Sequence, residues 1–433
     1  MTMLLGIDLG TSYLKAGVFD EKGRLRGLGR VAVHAEVPAP DHREIPLSRF
    51  LENLHEVVTE ALQKAACEPQ SITAISYGSQ ANTFLWLDHQ GEALTPLIFW
   101  NDRRAQALSA ELHENGTSEE FRRRTGLWRR SADSMPAKSL WLARAFPETW
   151  SRCAAVMTVS DYLTFFLTGR RVGDASTAAL TGLYDLQSRG WWQDALKQFN
   201  LDHRQLSVPL LPGTRAGELQ QEAAHFFGLR PGTPVAAGAL DHHAAALGSG
   251  LGVQVEASLS SGTVLAALIL TDTLVVAPGC IHGPHTEGKP YYALAFDPAG
   301  AGRLEDYQRL HAPHVPLSEL IARMEQKETP DPHAENLRRL FREIAQTEKG
   351  LLERIAPGKH FARLAATGGG ARSPISLQIK AETFGAQVIS TSSEPACLGA
   401  AVLGAVGAGL YPNLEKALQQ LVHPVRVANP IAT

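Results

Sequence analysis

The sequence runs to 433 residues, 44% of them hydrophobic and 20% charged, which exceeds what one compact core accommodates and sets two domains of roughly 200 residues as the expectation. A formal net charge of −3 with a pI near 6.6 supplies no basic field, which excludes nucleic acid and an anionic membrane as the main partner and favours a small neutral substrate. Cys67, Cys153, Cys280 and Cys397 form no C-x-x-C pair, so neither a zinc site nor a disulfide framework is indicated; with no basic leader and no apolar run of ~18 residues, a soluble cytoplasmic chain is expected.

In chain order, Leu4 to Lys15 (LLGIDLGTSYLK) reads as an apolar strand ending in an acid, a Gly-Thr-Ser turn and a second strand that reaches Phe19. Gly10 permits a tight reversal, and the successive N–H groups of Gly10, Thr11 and Ser12 suit one anion. Asp8 at the strand end would face that anion through a divalent cation such as Mg²⁺; the plain alternative is a carboxylate that caps its own turn. Asp20 to Gly23 predicts a turn and Arg24 to His34 a third strand. Apolar residues from Phe50 to Ala65 recur at helical spacing, predicting an amphipathic helix over 48–66, and Ile72 to Ser76 predicts a buried strand. This βββαβ order matches the repeat unit of actin-like ATPases.

Gln80 and Asn82 follow that strand, and Trp100, Asp102 and Arg103 close a later apolar run before a helix expected from Arg104. Amides, a carboxylate and a guanidinium beside an indole suit a polyhydroxylated ligand; taken alone, Asp102 is equally a helix cap and Trp100 a core residue. Residues 134–144 and 160–169 predict scaffold helices, and Asp174 to Asp185, rich in small residues, predicts a loop against another backbone. Turn residues from Pro231 to Pro234 precede a domain boundary placed near Gly238, giving domains 1–237 and 238–433.

Val235 to Gly252 (VAAGALDHHAAALGSGLG) predicts a short strand, a turn with Asp241 at its tip and a close-packed helix. An acid there suits a general base, and it suits an N-cap as well. His242 and His243 diverge on a helix and make a poor metal pair. Glu256 to Leu270 repeats the opening hairpin: setting Gly10-Thr11 on Gly262-Thr263 lays Ala16 over Leu268 and Val18 over Leu270. Residues 271–335 are the least legible, with HGPH (282–285) expected as a surface loop. A long helix over 336–355 leads to a strand and then Thr367-Gly368-Gly369-Gly370-Ala371, where three glycines let backbone approach a flat ligand or phosphates at a helix opening from Ser373. Neither G-x-G-x-x-G nor the Walker pattern is present. The Ala- and Gly-rich helix after Glu394 is expected to pack beneath that loop.

In this order GIDLGTSYLK, FWNDRRA, DYLTFFLTG, GALDHHAAA, SLSSGTV and TGGGARSPISLQIKAETFG resemble the FGGY carbohydrate kinases, a likeness that runs from about Leu4 to Tyr411. The resemblance implies an α/β fold of two actin-like (ribonuclease H-like) ATPase domains flanking a central cleft, and transfer of the ATP γ-phosphoryl group to a sugar or polyol hydroxyl. It implies Asp8 as the Mg²⁺-associated acid, Gly10, Thr11, Ser12 and Lys15 as the first phosphate turn, and Gly262 and Thr263 as the second. It further implies Gly369, Gly370, Ala371 and Ser373 as the adenosine loop, Asp241 as catalytic base, and a sugar pocket at Gln80, Asn82, Trp100, Asp102, Arg103, Asp241 and His242. A homodimer stays open. Ala81-Asn82 stands where xylulokinases have Met-His and glycerol kinases Arg-Glu, so neither specificity carries over; Asp133 and Ser376 replace aromatic residues of relatives. An actin- or chaperone-like ATPase switch and a non-catalytic sugar-binding regulator are the competing classes.

Overall fold

The computed structural model describes residues 2–115, 118–262, 264–286, 291–298, 300, 302–325 and 332–431. Three strands, β1 (Met3–Leu9), β2 (Tyr13–Asp20) and β3 (Leu25–Ala32), form an antiparallel meander. Helix α1 (Leu47–Ala65) lays the stripe Phe50, Leu54, Val57, Val58 and Ala61 on one face of it. Strand β4 (Ile72–Ser79) then pairs parallel to β1 and runs three residues beyond the sequence expectation. Strands β5 (Arg215–Glu218), β6 (Pro234–Ala236) and β7 (Ala239–Leu240) complete this sheet in the order β5-β6-β4-β1-β2-β3, with β7 also on β4. The boundary expected near Gly238 lies between β6 and β7, both of which pair with β4.

Helix α2 (Asp241–Leu247) follows β7 directly. The second half then rebuilds the same design with β8 (Ala257–Ser261), β9 (Leu265–Thr271), β10 (Cys280–Pro284), β11 (Tyr291–Asp297), helix α3 (Ala334–Ile355) and β12 (Arg363–Gly368). Helix α4 (Pro374–Phe384), β13 (Gln387–Ser390), helix α5 (Pro395–Gly407) and β14 (Arg426–Ala428) close it. Its sheet runs β10-β11-β9-β8-β12-β13-β14, so β11, β9, β8, β12, β13 and β14 take the places of β3, β2, β1, β4, β6 and β5. Parallel pairing of β8 with β12 matches that of β1 with β4, and α3 covers the second meander as α1 covers the first.

The duplication holds, but its register does not follow a gap-free alignment. Leu9 faces Leu14 across the first turn and Ser261 faces Leu265 across the second, so the second turn is one residue shorter. Ile7 pairs with Ala16 and Leu259 with Ala267, which sets Ala16 on Ala267 instead of Leu268, and on the same count Val18 on Ile269 instead of Leu270. The Ala- and Gly-rich α5 also departs from expectation: it packs across β1 and β4 of the first sheet and against α2, not beneath the glycine loop. A Cβ on Gly6 would lie 1.9 Å from the carbonyl oxygen of Cys397, so that β1 position takes only glycine at this helix–sheet approach.

Three local expectations are corrected. The segment after Arg104 begins as a 3₁₀ turn at Gln106–Leu108, with the α-helix starting at Ser109. Within 174–185 the chain forms a short helix, Ala175–Ala179, because the Asp174 carboxylate accepts from the Thr177 N–H and caps it. HGPH lies in and just after β10, with His282 and His285 buried; His285 Nδ1 lies 2.8 Å from Nε2 of the equally buried His243. No helix of the described residues is long and apolar enough to cross a membrane.

Candidate active site

Three parallel strands that stop level with one another build the acidic end of the site. Leu9 pairs with Ser79 and Ser79 with Leu240, so the residues that follow, Gly10, Gln80 and Asp241, leave the sheet side by side. Asp8, one step back, sits opposite Lys15 on β2, where cross-strand neighbours share a face. Lys15 Nζ lies 3.5 Å from Asp8 Oδ2 and 2.9 Å from Glu394 Oε2. Glu394, at the N-cap of α5, escaped sequence reasoning because its place is set by a helix nearly four hundred residues downstream of Asp8.

Burial pushes the Asp8 carboxyl up to about 6; Lys15 opposes that shift, while Asp241 and Glu394 add to it. Burial lowers the Lys15 ammonium, yet Asp8 and Glu394 overcome it and hold the group above its ordinary value. Asp8 and Glu394 thus share one ammonium group, with the Asp241 charge acting on Asp8 besides, an imbalance that a divalent cation would correct. No set of three His, Cys, Asp or Glu side chains among the described residues forms a metal cage, so a Mg²⁺ ion held at Asp8 would take its other ligands from phosphates and water, as this ion usually does.

The first turn offers unpaired donors. Among the described residues, the N–H groups of Gly10, Thr11 and Ser12 reach no backbone acceptor, and a Cβ on Gly10 would meet the Tyr13 carbonyl oxygen at 2.6 Å. The Thr11 hydroxyl is engaged elsewhere: it donates to Gln80 Oε1 (3.1 Å) and accepts from the Trp100 indole Nε1 (2.8 Å). Thr83 donates to the same Gln80 oxygen (2.9 Å) and accepts from the Trp100 backbone N–H (3.0 Å). Gln80 and Trp100 are therefore locked to the first turn, with Trp100 40% exposed. Lys138, fully buried, donates to the Phe99 and Trp100 carbonyls at 2.8 and 3.0 Å, and burial pulls its pKa down to about 7.

The other expected pocket residues are placed differently. Asp102 is fully enclosed: it accepts from the Arg43 N–H (2.6 Å) and grips Arg104 with both oxygens (2.8 and 2.9 Å), so its oxygens face the scaffold. Burial works against its charge, and the hydrogen bonds from Arg104 and Arg43 win, holding the carboxyl below the usual range. Arg103 is exposed at the surface, and Arg104, which sequence reasoning passed over, is the guanidinium that matters here. Asn82 adopts φ 61° and spends both ends of its amide on backbone, donating to Leu180 O (3.2 Å) and accepting from Met135 N–H (2.9 Å). Asp241 is the first residue of α2 and does not cap it; its Oδ1 accepts from the His242 N–H (2.6 Å) and it stays half-buried, as does His242. In the DYLTFFLTG segment, Asp161 closes a capping box with Thr158, a scaffold role.

Across the molecule, Ser261 pairs with Gly368, so Gly262 and Gly369 emerge together as Gly10 and Gln80 do. Thr263 lies outside the described residues. Gly369, Gly370 and Ala371 form a 3₁₀ turn, and the buried Ser373 caps α4 through the Ser376 N–H (3.3 Å). A cleft of ≈ 700 Å³ opens beside this turn, lined by Gly368, Ala371, Ser390 to Ser393 and, from the first half, Lys22 to Leu25.

The model of the N-terminal domain of the FGGY family of carbohydrate kinases matches residues 3–248, and that of its C-terminal domain matches residues 203–408. A xylulose kinase of Lactococcus lactis is 28% identical over 98% of this chain and 91% of its own length. An autoinducer-2 kinase of Salmonella choleraesuis is 28% identical over 99% of this chain and 90% of its own length. The solved structure of a xylulose kinase from Lactobacillus acidophilus superposes with a TM-score of 0.86 at 20% identity, covering 100% of this chain and 94% of that one.

Proposed function

Because the chain belongs to the FGGY family of carbohydrate kinases, we propose that it transfers the γ-phosphoryl group of ATP to a hydroxyl of a small sugar or polyol, with Asp241 as the base. The observation that carries this reading is the common register of β1, β4 and β7, which sets Asp241 beside the Asp8 carboxylate at the mouth of the first turn. Phosphoryl transfer asks the protein mainly for alignment and for donors on the spreading negative charge. The free N–H groups of the first turn serve the phosphates from one side and Gly262 from the other, and the 369–371 turn serves the adenosine end of the nucleotide. Mg²⁺ held at Asp8 would neutralise charge on the phosphate oxygens. Trp100 offers a flat face to a sugar, Gln80 an amide, and Asp241 orients the acceptor hydroxyl and takes its proton.

The relatives' names, xylulose kinase and autoinducer-2 kinase, differ in acceptor, which makes the acceptor the variable to test. ADP release measured against xylulose, ribulose, glycerol and erythritol tests the reaction class. Asp241→Asn is expected to keep ATP binding and to lose ~10²–10⁴-fold in turnover, the usual contribution of a positioned base. Near-normal turnover in that variant removes the base, and brisk ATP hydrolysis indifferent to every acceptor favours the ATPase-switch class.

A further inference from the structure

Asp241 leaves the sheet from a strand of only two residues. Strand β7 pairs with β4 through Ala239 and Leu240, and α2 follows with Leu240 as its N-cap, a residue whose apolar side chain gives the helix no capping hydrogen bond. A helix start is commonly fixed by its own polar cap. Here the junction borrows its anchor from elsewhere: the Leu240 N–H donates to the Ser176 hydroxyl oxygen at 2.7 Å, across 64 residues of sequence.

Ser176 is aimed for that contact. It lies in the short helix Ala175–Ala179, and its hydroxyl proton goes to Asp174 Oδ1 at 2.7 Å, which leaves the oxygen's lone pairs for the Leu240 N–H. The Asp174 carboxylate is held in turn by the Thr177 N–H (2.8 Å) and the Thr177 hydroxyl (2.7 Å). From the second sheet the Tyr292 hydroxyl donates to the Ser176 carbonyl at 3.0 Å, and the His243 ring of α2 lies 4.8 Å from the Tyr292 ring. Leu240, Ser176, Tyr292 and His243 thus close a ring of contacts that returns to α2 two residues past Asp241. All four are buried, as is Asp174, so removing the hydroxyl leaves a buried donor unpaired.

We propose that Ser176 is a positioning residue for phosphoryl transfer: its hydroxyl, oriented by Asp174, fixes where the chain turns from β7 into α2 and so where the Asp241 carboxylate stands relative to Asp8. The proposal rests on the kinase reading and adds to it a group too deeply buried to touch a substrate. The other strand ends do not need this hydroxyl. The first turn and Gln80 follow strands that pair with each other at seven positions, whereas β7 pairs with β4 at two.

The experiment measures ADP release from the full-length chain and from Ser176→Ala, with whichever of xylulose, ribulose, glycerol and erythritol the wild type turns over fastest, beside backbone hydrogen exchange of the same preparations. Ser176→Ala is expected to lower kcat about 10- to 100-fold, the scale of a displacement of about 1 Å at the reacting groups, while KM for ATP stays within about twofold. Exchange should quicken in the peptide spanning 239–247 and stay unchanged in that spanning 3–20. Ser176→Cys, which fills the same space with a weak acceptor, should fall between the two and carries the comparison should the alanine variant not fold. A kcat close to that of the wild type, or kcat and KM for ATP worsening together with exchange quickened throughout, reduces Ser176 to a folding contact and overturns the proposal. Should the wild type turn over none of the four acceptors, the kinase reading fails, and exchange alone decides the anchor: quickening confined to 239–247 supports it, and a uniform pattern overturns it.

Discussion

Asp8 shows how one buried carboxylate ties stability to function. Its folded pKa of about 6 stands above the ordinary 3.8, so between those values the folded chain keeps a proton that the unfolded chain has released. By linkage, stability falls as pH rises through that window and is flat above it, by roughly 2–3 kcal/mol at most. Asp8→Asn removes the titration: the variant should melt at or above wild type at pH 8, the two curves should converge near pH 4, and turnover should be lost. Melting well below wild type at pH 8 would instead mean that the Lys15 contact outweighs the burial cost. At this scale the sequence displayed strand-end polar residues and could not rank them. Asp8, Gln80 and Asp241 end strands that meet, whereas Asp102 is claimed by Arg104 and Arg43 and Asn82 by Leu180 and Met135. Arg104 is a near neighbour of Asp102, but Arg43, Met135 and Leu180 lie 59, 53 and 98 residues from the groups they hold, beyond any local pattern.

Among the elements, the first meander, the opening hairpin of the second and the long helices α1 and α3 were legible because their apolar periodicity is strong and local, whereas β10 and β11 fall in the segment 271–335 that carries no such pattern. The shortened second turn was not legible either, since a gap-free alignment carries no information about how many residues a hairpin spends outside its ladder. The second turn also rests on something the first lacks. Glu348 of α3 and Lys380 of α4 form a buried ion pair, and Ser261 at the end of β8 donates to the same carboxylate at 2.8 Å. Helical spacing marks each as an ordinary polar position, and only the fold brings them together under Gly262. Lys380→Met strands the Glu348 charge and should cost about 3–5 kcal/mol, whereas Lys380→Met with Glu348→Leu should recover most of it, since replacing a buried pair with apolar groups is often neutral. Urea unfolding of the two single variants and the double variant measures the coupling. If the pair also positions the second turn, the double variant regains stability but keeps a raised KM for ATP.

For the whole molecule, the duplicated design leaves each half with one turn and one strand-end loop, and neither half alone carries both the acidic end and the glycine loop. Their mechanical link is α5, which lies in the chain between β13 and β14 of the second sheet yet packs on the first. It brings Glu394 to Lys15 at its start, and it crosses α2, whose first residue is Asp241, at closest backbone approach. A Cβ on Gly399 would lie 1.8 Å from the Ala244 carbonyl oxygen, a clash with backbone that no side-chain rotation relieves. Gly399→Ala therefore has to part α5 from α2 and move Asp241 relative to Asp8. Overpacking of this kind costs about 1–3 kcal/mol, and a displacement near 1 Å at the reacting groups costs on the order of 10²-fold in rate. The expected variant is folded, melts lower, and loses kcat by far more than it changes KM for ATP, because the phosphate turns themselves are left alone. Thermal denaturation and steady-state ADP release on the same preparation separate the two effects. A melting temperature that drops while kcat holds would reduce this helix crossing to a folding contact and would detach the position of Asp241 from the second half of the chain.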